Sequence, residues 1–569
     1  MFALLAGLVV VSAVAHGRSS SSLAPAEEQV HLALGSAAGE MNVQWTTGSN
    51  TTNLQVQFWP ADNSSNKTTT FGDTRSLNVS GLRYTHVATM HSLVEGASYR
   101  YTVGDRNDAE LFKFTYRSQH VQGRPDRHVI FGDMGASHAF SLCFACSAQS
   151  LTCDSDTCAT NTTAVGLVSE VSKADMFLHL GDFAYDLADG DGIIANRGDQ
   201  FFRNIEQIAA RVPYMVSHGN HEHADSLTHY VERFRSQPGA PDMFPGAPGN
   251  TPAAATNSMY FSWDAGLVHY VALSTELWFG VSGGHVDKKS LLAWLEEDLK
   301  KANANRARVP WVVAHGHRDV YCSTGDDSDC TAVGPFGDAG KLRHDLEPLF
   351  FKYGVDFWIN GHEHSYERTY PLYRGKSDRS NIDPKATVYI VTGAAGSQEM
   401  HEGFTKKQPT WSAFRSNTFG YSVMEVHNAT HIHWQQVQTD PTLFPGSEYG
   451  RIIDDTWFVQ HQHGPFKEVD APKGTAFSAD SQSADRELDH WAPLLFPDKD
   501  TAKVPSSSLV RQFREQYGDA AWAQREGELM KWVNEQYSLR GHRASKSQWE
   551  DVRGESTASD GAWFKWKEL

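Results

Sequence analysis

At 569 residues the chain is too long for one hydrophobic core, so two or three domains are expected. Its 50 basic and 68 acidic residues leave a net charge of −18, which argues against a nucleic-acid backbone or an anionic membrane surface as partner. Hydrophobic residues at 40% and charged residues at 21% are ordinary globular values.

The chain opens with an apolar stretch, Met1–Ala15, ending in Ala13-Val14-Ala15. That pattern reads as a secretory signal peptide over 1–15, although no basic residue precedes the apolar core. No later stretch is long and apolar enough to span a bilayer, and the carboxyl terminus has no hydrophobic anchor tail. A secreted or extracellular protein is expected. Asn50, Asn63, Asn66, Asn78, Asn161 and Asn428 stand in N-x-S/T sequons, where N-glycans would attach. The six cysteines agree with an oxidising compartment. Cys322 and Cys330 flank a short Ser/Gly/Asp loop and are expected to pair. Cys143, Cys146, Cys153 and Cys158 form two bridges in one of three connectivities, or a zinc knot of four thiolates.

Residues 25–118 carry short Val-, Trp-, Tyr- and Phe-rich runs between turn residues: EMNVQWTT, NLQVQFWP, YTHVATM, SYRYTVGD and ELFKFTY. Strands at this spacing predict an all-β sandwich. It holds no candidate ligand, which leaves support or partner contact as its role. HVQGRPDRH at 120–128 reads as a linker.

From about 126 to 465 the pattern changes to buried strands alternating with helical stretches such as DQFFRNIEQIAARV and KKSLLAWLEEDLKKAN. Five apolar runs each end in a metal-capable side chain. HVIFGD ends on Asp133, MFLHLGDFAY supplies Asp182 and Tyr185, and YMVSHGNHE supplies Asn220 and His221. WVVAHGH supplies His315 and His317, and VDFWINGHEH supplies His362 and His364. In α/β sheets, ligand sites gather beyond the carboxyl ends of strands. Taken singly, each block has a plainer reading: Tyr185 packing its ring, or Asn220 capping a helix. Oxygen and imidazole donors without thiolate suit iron, zinc and manganese. A phenol, with a pKa near 10, binds as tyrosinate where a strongly Lewis-acidic ion such as Fe(III) displaces its proton. Two metals about 3.5–4 Å apart can clamp attacking and leaving oxygens together. TVYIVTGAAG at 387–396 adds another buried strand, and the Pro/Gly-rich stretch 238–256 reads as a loop at the rim of the pocket. Residues 466–569 are charged and Ser-rich, with helical spacing of Phe513, Trp522, Leu529 and Trp532. A peripheral helical extension is expected there, a partner-docking element being the alternative.

GDMG at 132–135, GDFAY at 181–185, GNHE at 219–222, GHR at 316–318 and GHEH at 361–364 resemble the metal-ligand blocks of the purple acid phosphatases. These belong to the calcineurin-like metallophosphoesterases. SYERTYPLYRG, WLEEDLKKAN and EQVHLALGS also resemble that family, and the likeness covers roughly 25–465. It implies a fibronectin type III-like sandwich followed by an α/β four-layer metallophosphoesterase fold. It further implies an Fe(III) site of Asp133, Tyr185 and His364, a bridging Asp182, and a divalent site of Asn220, His317 and His362 for zinc, iron or manganese. His317 is preferred to His315 because the family's ligand lies six residues after the corresponding Trp, here Trp311.

The implied activity is a secreted acid phosphatase that hydrolyses small phosphate monoesters by attack of a metal-bound hydroxide. The same centre on phosphodiesters or nucleotide pyrophosphates is a rival. A partner-binding glycoprotein with a vestigial metal site is another, which the complete ligand set opposes. By the same resemblance His221 lies beside the bound phosphate. Where plant members carry substrate histidines this chain has Asp326 and Asp327, so the leaving-group acid is open, with His221 and His315 the nearest candidates. The oligomeric state, a homodimer included, is also left open.

Overall fold

A computed structural model describes residues 27–467, apart from 78–82, 109–110, 137–162, 189–195, 224–226, 239–257, 282–286, 326–328, 331–337, 378, 398, 400, 406 and 440–448. The expected signal peptide, Asn78, Asn161, the four cysteines 143–158, Asp326, Asp327, the loop from 239 onward and the tail beyond 467 therefore lie outside the described residues.

The first eight strands are β1 (Glu27–Leu34), β2 (Met41–Thr47), β3 (Gln55–Pro60), β4 (Thr68–Phe71), β5 (Asp73–Leu77), β6 (Arg83–Met90), β7 (Ser98–Val103) and β8 (Lys113–Thr115). They form two antiparallel four-stranded sheets, ordered β1-β2-β6-β5 and β4-β3-β7-β8. Burial in β7 alternates residue by residue, as a sandwich strand with one wet face requires. In β1 the burial is nearly continuous. Its second face is covered too: the His31 ring lies 5.3 Å from Phe202, and Val30 N donates to Glu206 at 3.0 Å.

The remaining strands are β9 (Asp126–Phe131), β10 (Met176–Leu180), β11 (Tyr214–Ser217), β12 (Tyr260–Ala265), β13 (Val268–Leu273), β14 (Trp311–His315), β15 (Phe357–Asn360), β16 (Tyr366–Thr369), β17 (Leu372–Tyr373), β18 (Lys376–Ser377), β19 (Val388–Thr392), β20 (Ser412–Ser416), β21 (Gly420–Val426), β22 (His431–Gln438) and β23 (Ile452–Val459). The helices are α1 (Thr163–Glu170), α2 (Asn196–Ala209), α3 (Thr228–Arg233), α4 (Lys288–Ala304) and α5 (Asp338–Tyr353). One sheet runs β11-β10-β9-β21-β22-β23 and the other β12-β13-β14-β15-β19-β16-β20. β9, β10 and β11 are parallel in the first, as are β13, β14, β15 and β19 in the second.

Strand alternation sorts the core into layers. Val129 and Phe131 of β9 pack with Phe201, Ile205 and Ile208 of α2, while Trp358 of β15 packs with Leu346 and Phe350 of α5. The intervening residues Ile130, Leu178, Val313 and Ile359 meet between the sheets. The result is helix on sheet on sheet on helix. Asp287 caps α4, accepting from Ser290 N at 2.8 Å, and Leu291, Leu295 and Leu299 form its buried stripe. Cys322 and Cys330 form a disulfide.

Candidate metal centre

Each of the five blocks leaves a parallel strand at its carboxyl end. Asp133 follows β9, Asp182 follows β10 and Asn220 follows β11, all in the first sheet; His317 follows β14 and His362 follows β15, in the second. The facing sheets bring both sets of ends together. Asp133, Asp182, Tyr185 and His362 have φ of 60°, 51°, 47° and 70°, the left-handed region that costs a non-glycine residue about 1–3 kcal/mol. The glycines of the blocks keep the chains close. A Cβ on Gly219 would stand 2.2 Å from Asp182 Oδ1, and one on Gly361 2.3 Å from Asp133 Oδ2.

Ligand-capable atoms of Asp133, Asp182 and His317 lie within 4.8 Å of one another, and all three residues are buried. On one side the Tyr185 hydroxyl is 2.7 Å from His364 Nε2 and 3.3 Å from Asp133 Oδ1. On the other, His317 Nε2 is 3.0 Å from Asn220 Oδ1 and 3.3 Å from Asp182 Oδ2. His317 Nδ1 donates to Leu180 O at 2.8 Å, which aims Nε2 at Asp182 and Asn220. The His362 ring lies 5.0 Å from that of His317, and its Nε2 is 2.6 Å from Asp329 Oδ2. The structure thus brings Asp133, Asp182, Tyr185, Asn220, His317 and His364 into mutual contact, with the His362 ring beside that of His317.

The electrostatics are those of a cation site. Among the described residues, Asp133 and Asp182 have no Lys or Arg ion-pair partner within 4 Å; histidines stand there instead. Burial, and then the Asp182 charge, push the Asp133 carboxyl well above its usual range. Asp182 is held well below it: burial opposes ionisation, but His317 and His221 outweigh it. The Tyr185 phenol is pushed well up by burial and by both carboxylates. Two buried carboxylates and a phenol sharing one space, with imidazoles at its edge, fit Lewis-acidic cations of the iron or zinc kind.

His221 sits at the mouth. Its ring is 4.4 Å from that of Tyr185, and its Nδ1 is 3.1 Å from Asp186 Oδ1. Its side chain keeps 25% exposure, and its Nε2 is 3.6 Å from Glu399. Burial would lower its pKa, but Asp182, Asp186 and Glu399 raise it to about 9.

His315 is not brought to the centre. It is fully buried, packs edge-on against Trp263 at 5.6 Å, and its Nδ1 reaches Ser217 Oγ at 3.4 Å. Burial lowers its pKa to about 3. His315 is the last residue of β14, whereas His317 lies beyond the strand, in the loop that reaches Asp182 and Asn220.

Glu222 was missed in the sequence. Its Oε2 accepts from Asp182 N and Gly219 N at 2.8 Å each, and its Oε1 from Phe183 N at 3.0 Å. The Glu of GNHE is the signal that could have revealed it: one buried carboxylate ties two ligand loops together. The GNHE block itself forms a 3-10 turn, Asn220–Glu222.

The sequence matches the purple acid phosphatase N-terminal domain at residues 27–117. It also matches the calcineurin-like phosphoesterase family at 127–366 and the iron/zinc purple acid phosphatase-like C-terminal domain at 386–444. The chain therefore belongs to the purple acid phosphatase family of metallophosphoesterases, and its fold is the family's sandwich plus α/β phosphoesterase domain. Among curated relatives it is similar to acid phosphatase type 7 of Danio rerio, 34% identical over 77% of this chain and 92% of that protein. It is also similar to a probable inactive purple acid phosphatase 1 of Arabidopsis thaliana, 29% identical over 68% of this chain and 63% of that one. Among solved structures, a purple acid phosphatase from yellow lupin (Lupinus luteus) seeds shares the fold, with a TM-score of 0.57 and 21% identity over 76% of this chain and 74% of that one.

Proposed function

We propose that the chain is a secreted acid phosphatase that hydrolyses small phosphate monoesters at an Fe(III)–divalent centre. Asp133, Tyr185 and His364 would hold Fe(III), Asp182 would bridge, and Asn220, His317 and His362 would hold zinc, iron or manganese. The observation that carries this reading is the convergence of Asp133, Asp182 and His317, buried and within 4.8 Å, at the ends of two facing sheets. When bound, the ion pair supplies the Lewis acidity that activates water and polarises the phosphoryl oxygens.

The chain's own residues do the rest. Glu222 holds the Asp182 and Gly219 backbones at fixed separation. His221 N donates to Asp182 Oδ1 at 2.9 Å, which orients that carboxylate. The His221 ring, drawn toward its protonated form by three nearby carboxylates, presents an N–H to a phosphate or leaving-group oxygen. His315, walled in by aromatic rings, takes no part. The complete donor set speaks against a vestigial centre of the kind the Arabidopsis relative's name suggests for that protein.

The exposed Asn50, Asn63, Asn66 and Asn428 and the Cys322–Cys330 disulfide support passage through an oxidising secretory compartment. On this reading 1–15 is a signal peptide, 25–118 the sandwich, 126–465 the catalytic domain and 466–569 a peripheral extension.

Metal analysis and a visible spectrum of the purified protein test the centre, and a panel of phosphate mono- and diesters tests the substrate class. Two ions per chain and a charge-transfer band that Tyr185→Phe bleaches are expected. A colourless protein fully loaded with iron would remove Tyr185 from the ligand set, and turnover of diesters alone would overturn the monoester reading.

A further inference from the structure

Asp329 lies beside His362 but outside the set of seven. Its Oδ2 is 2.6 Å from His362 Nε2, and both side chains are buried, at 4% and 7% exposure. The position of Asp329 is built in. Its neighbour Cys330 is bonded to Cys322, its carbonyl accepts from Ala339 N at the start of α5, and Thr324 Oγ1 contacts both Cys330 Sγ and Glu363.

A second group competes for the same nitrogen. Arg318 Nη1 lies 3.1 Å from His362 Nε2, with its guanidinium held by Glu276 at 2.7 Å and stacked over Phe279 at 4.2 Å. Arginine can only donate, and it stays charged. It therefore favours the tautomer with the lone pair on Nε2 and the proton on Nδ1. An ionised Asp329 can only accept, and favours the reverse. The two neighbours ask opposite things of one imidazole, and the carboxylate is the closer. The shorter contact favours the arrangement with the hydrogen on Nε2 and the lone pair on Nδ1.

We propose that Asp329 is a positioning residue that selects the metal-binding tautomer of His362 against the pull of Arg318. This rests on the reading of His362 as a ligand of the divalent ion. A carboxylate–histidine–metal relay of this kind typically changes metal affinity by about 10–100-fold when its carboxylate is removed.

The test uses the full-length holoprotein, with zinc as probe and a competing chelator to measure the more weakly held ion. Asp329→Ala should weaken that ion by about 10–100-fold while the first ion and the visible band persist. Asp329→Asn, whose amide oxygen still accepts from Nε2–H and which keeps the side chain's size, should recover most of the affinity. Nitrogen-15 shifts of His362 in the metal-free protein should report Nε2–H in the wild type and Nδ1–H in Asp329→Ala. Zinc affinity in Asp329→Ala within twofold of wild type would overturn the proposal, and so would loss of both ions together in both variants. Failure of the underlying reading would appear elsewhere: a wild type that holds only one ion, or His362→Ala that keeps two tightly bound.

Discussion

The metal centre and the contact between the sandwich and the phosphoesterase domain both bury charge, and the two regions treat it in opposite ways. At the contact, signs alternate. Asp199, with a 3% exposed side chain, accepts from Arg233 at 2.9 Å and from Arg83 at 2.9 and 2.5 Å, and Asp73 accepts from Arg235 at 2.6 Å. Arg106 likewise meets Glu206. At the centre, like charges share one space: Asp133 and Asp182 face each other, with a phenol beside them. Among the described residues, no group of metal-capable side chains draws on the sandwich. Buried charge that is paired on the spot belongs to packing; buried charge of one sign awaits a ligand.

Substitutions in the two regions should therefore fail differently. Asp182→Ala should give the largest effect: turnover reduced by at least about a thousandfold and bound metal falling from two ions toward one or none. Element analysis and kinetics on the same preparation would check it, and two retained ions with near-normal activity would remove Asp182 from the bridge. His317→Ala should empty the divalent position and remove most of the turnover. His315→Ala should keep both ions and lose stability instead, because it opens a cavity beside Trp263. The opposite pattern would reverse the assignment of these two residues.

At the domain contact the expectation inverts. Asp199→Ala strands the fully buried Arg233 guanidinium and should cost about 3–5 kcal/mol of stability. Both metals and the turnover of the folded fraction should remain. Thermal melting beside metal content would separate the outcomes, and ions lost without a change in melting would erase the distinction between the two regions.

How far all this was legible follows from which physics is local. The ligand blocks could be read because an apolar run, a glycine and a donor are consecutive, and because Gly219 and Gly361 have no room for a side chain. The strands β3, β6 and β7 were visible from alternation, and α2 and α4 from helical spacing. The edge strands β4 (TTTF) and β5 (DTRSL) were not, since they present little apolar surface. The short α1 and the whole of α5 also escaped the sequence reading. Glu222 and Asp329 act on partners 40 and 33 residues away, and Arg83 meets Asp199 across 116 residues. No spacing rule announces such contacts. His315 was a candidate only by its nearness in sequence to His317, and the burial of its ring against Trp263 is a contact that nearness does not reveal.

The smallest expected effect sharpens the comparison furthest from either region. His269 on β13 stands between Asp264, 2.7 Å from Nδ1, and Asp298, 2.9 Å from Nε2, with 13% exposure of its side chain. Burial would lower its pKa, but the hydrogen bonds and charges of the two carboxylates raise it from 6.5 to about 9. A folded-state pKa above the unfolded one means that folding takes up a proton. The stabilisation is then complete below pH 6.5 and is lost as the pH rises through about 9. His269→Gln should lower stability at pH 6 by on the order of 2 kcal/mol, and the gap from wild type should close toward pH 10. Comparing the two proteins at each pH cancels the histidines of the centre, which titrate in both. A gap that stayed constant from pH 6 to pH 10 would show that His269 contributes by packing alone, and that pairing of opposite charges is not what stabilises this edge of the sheet.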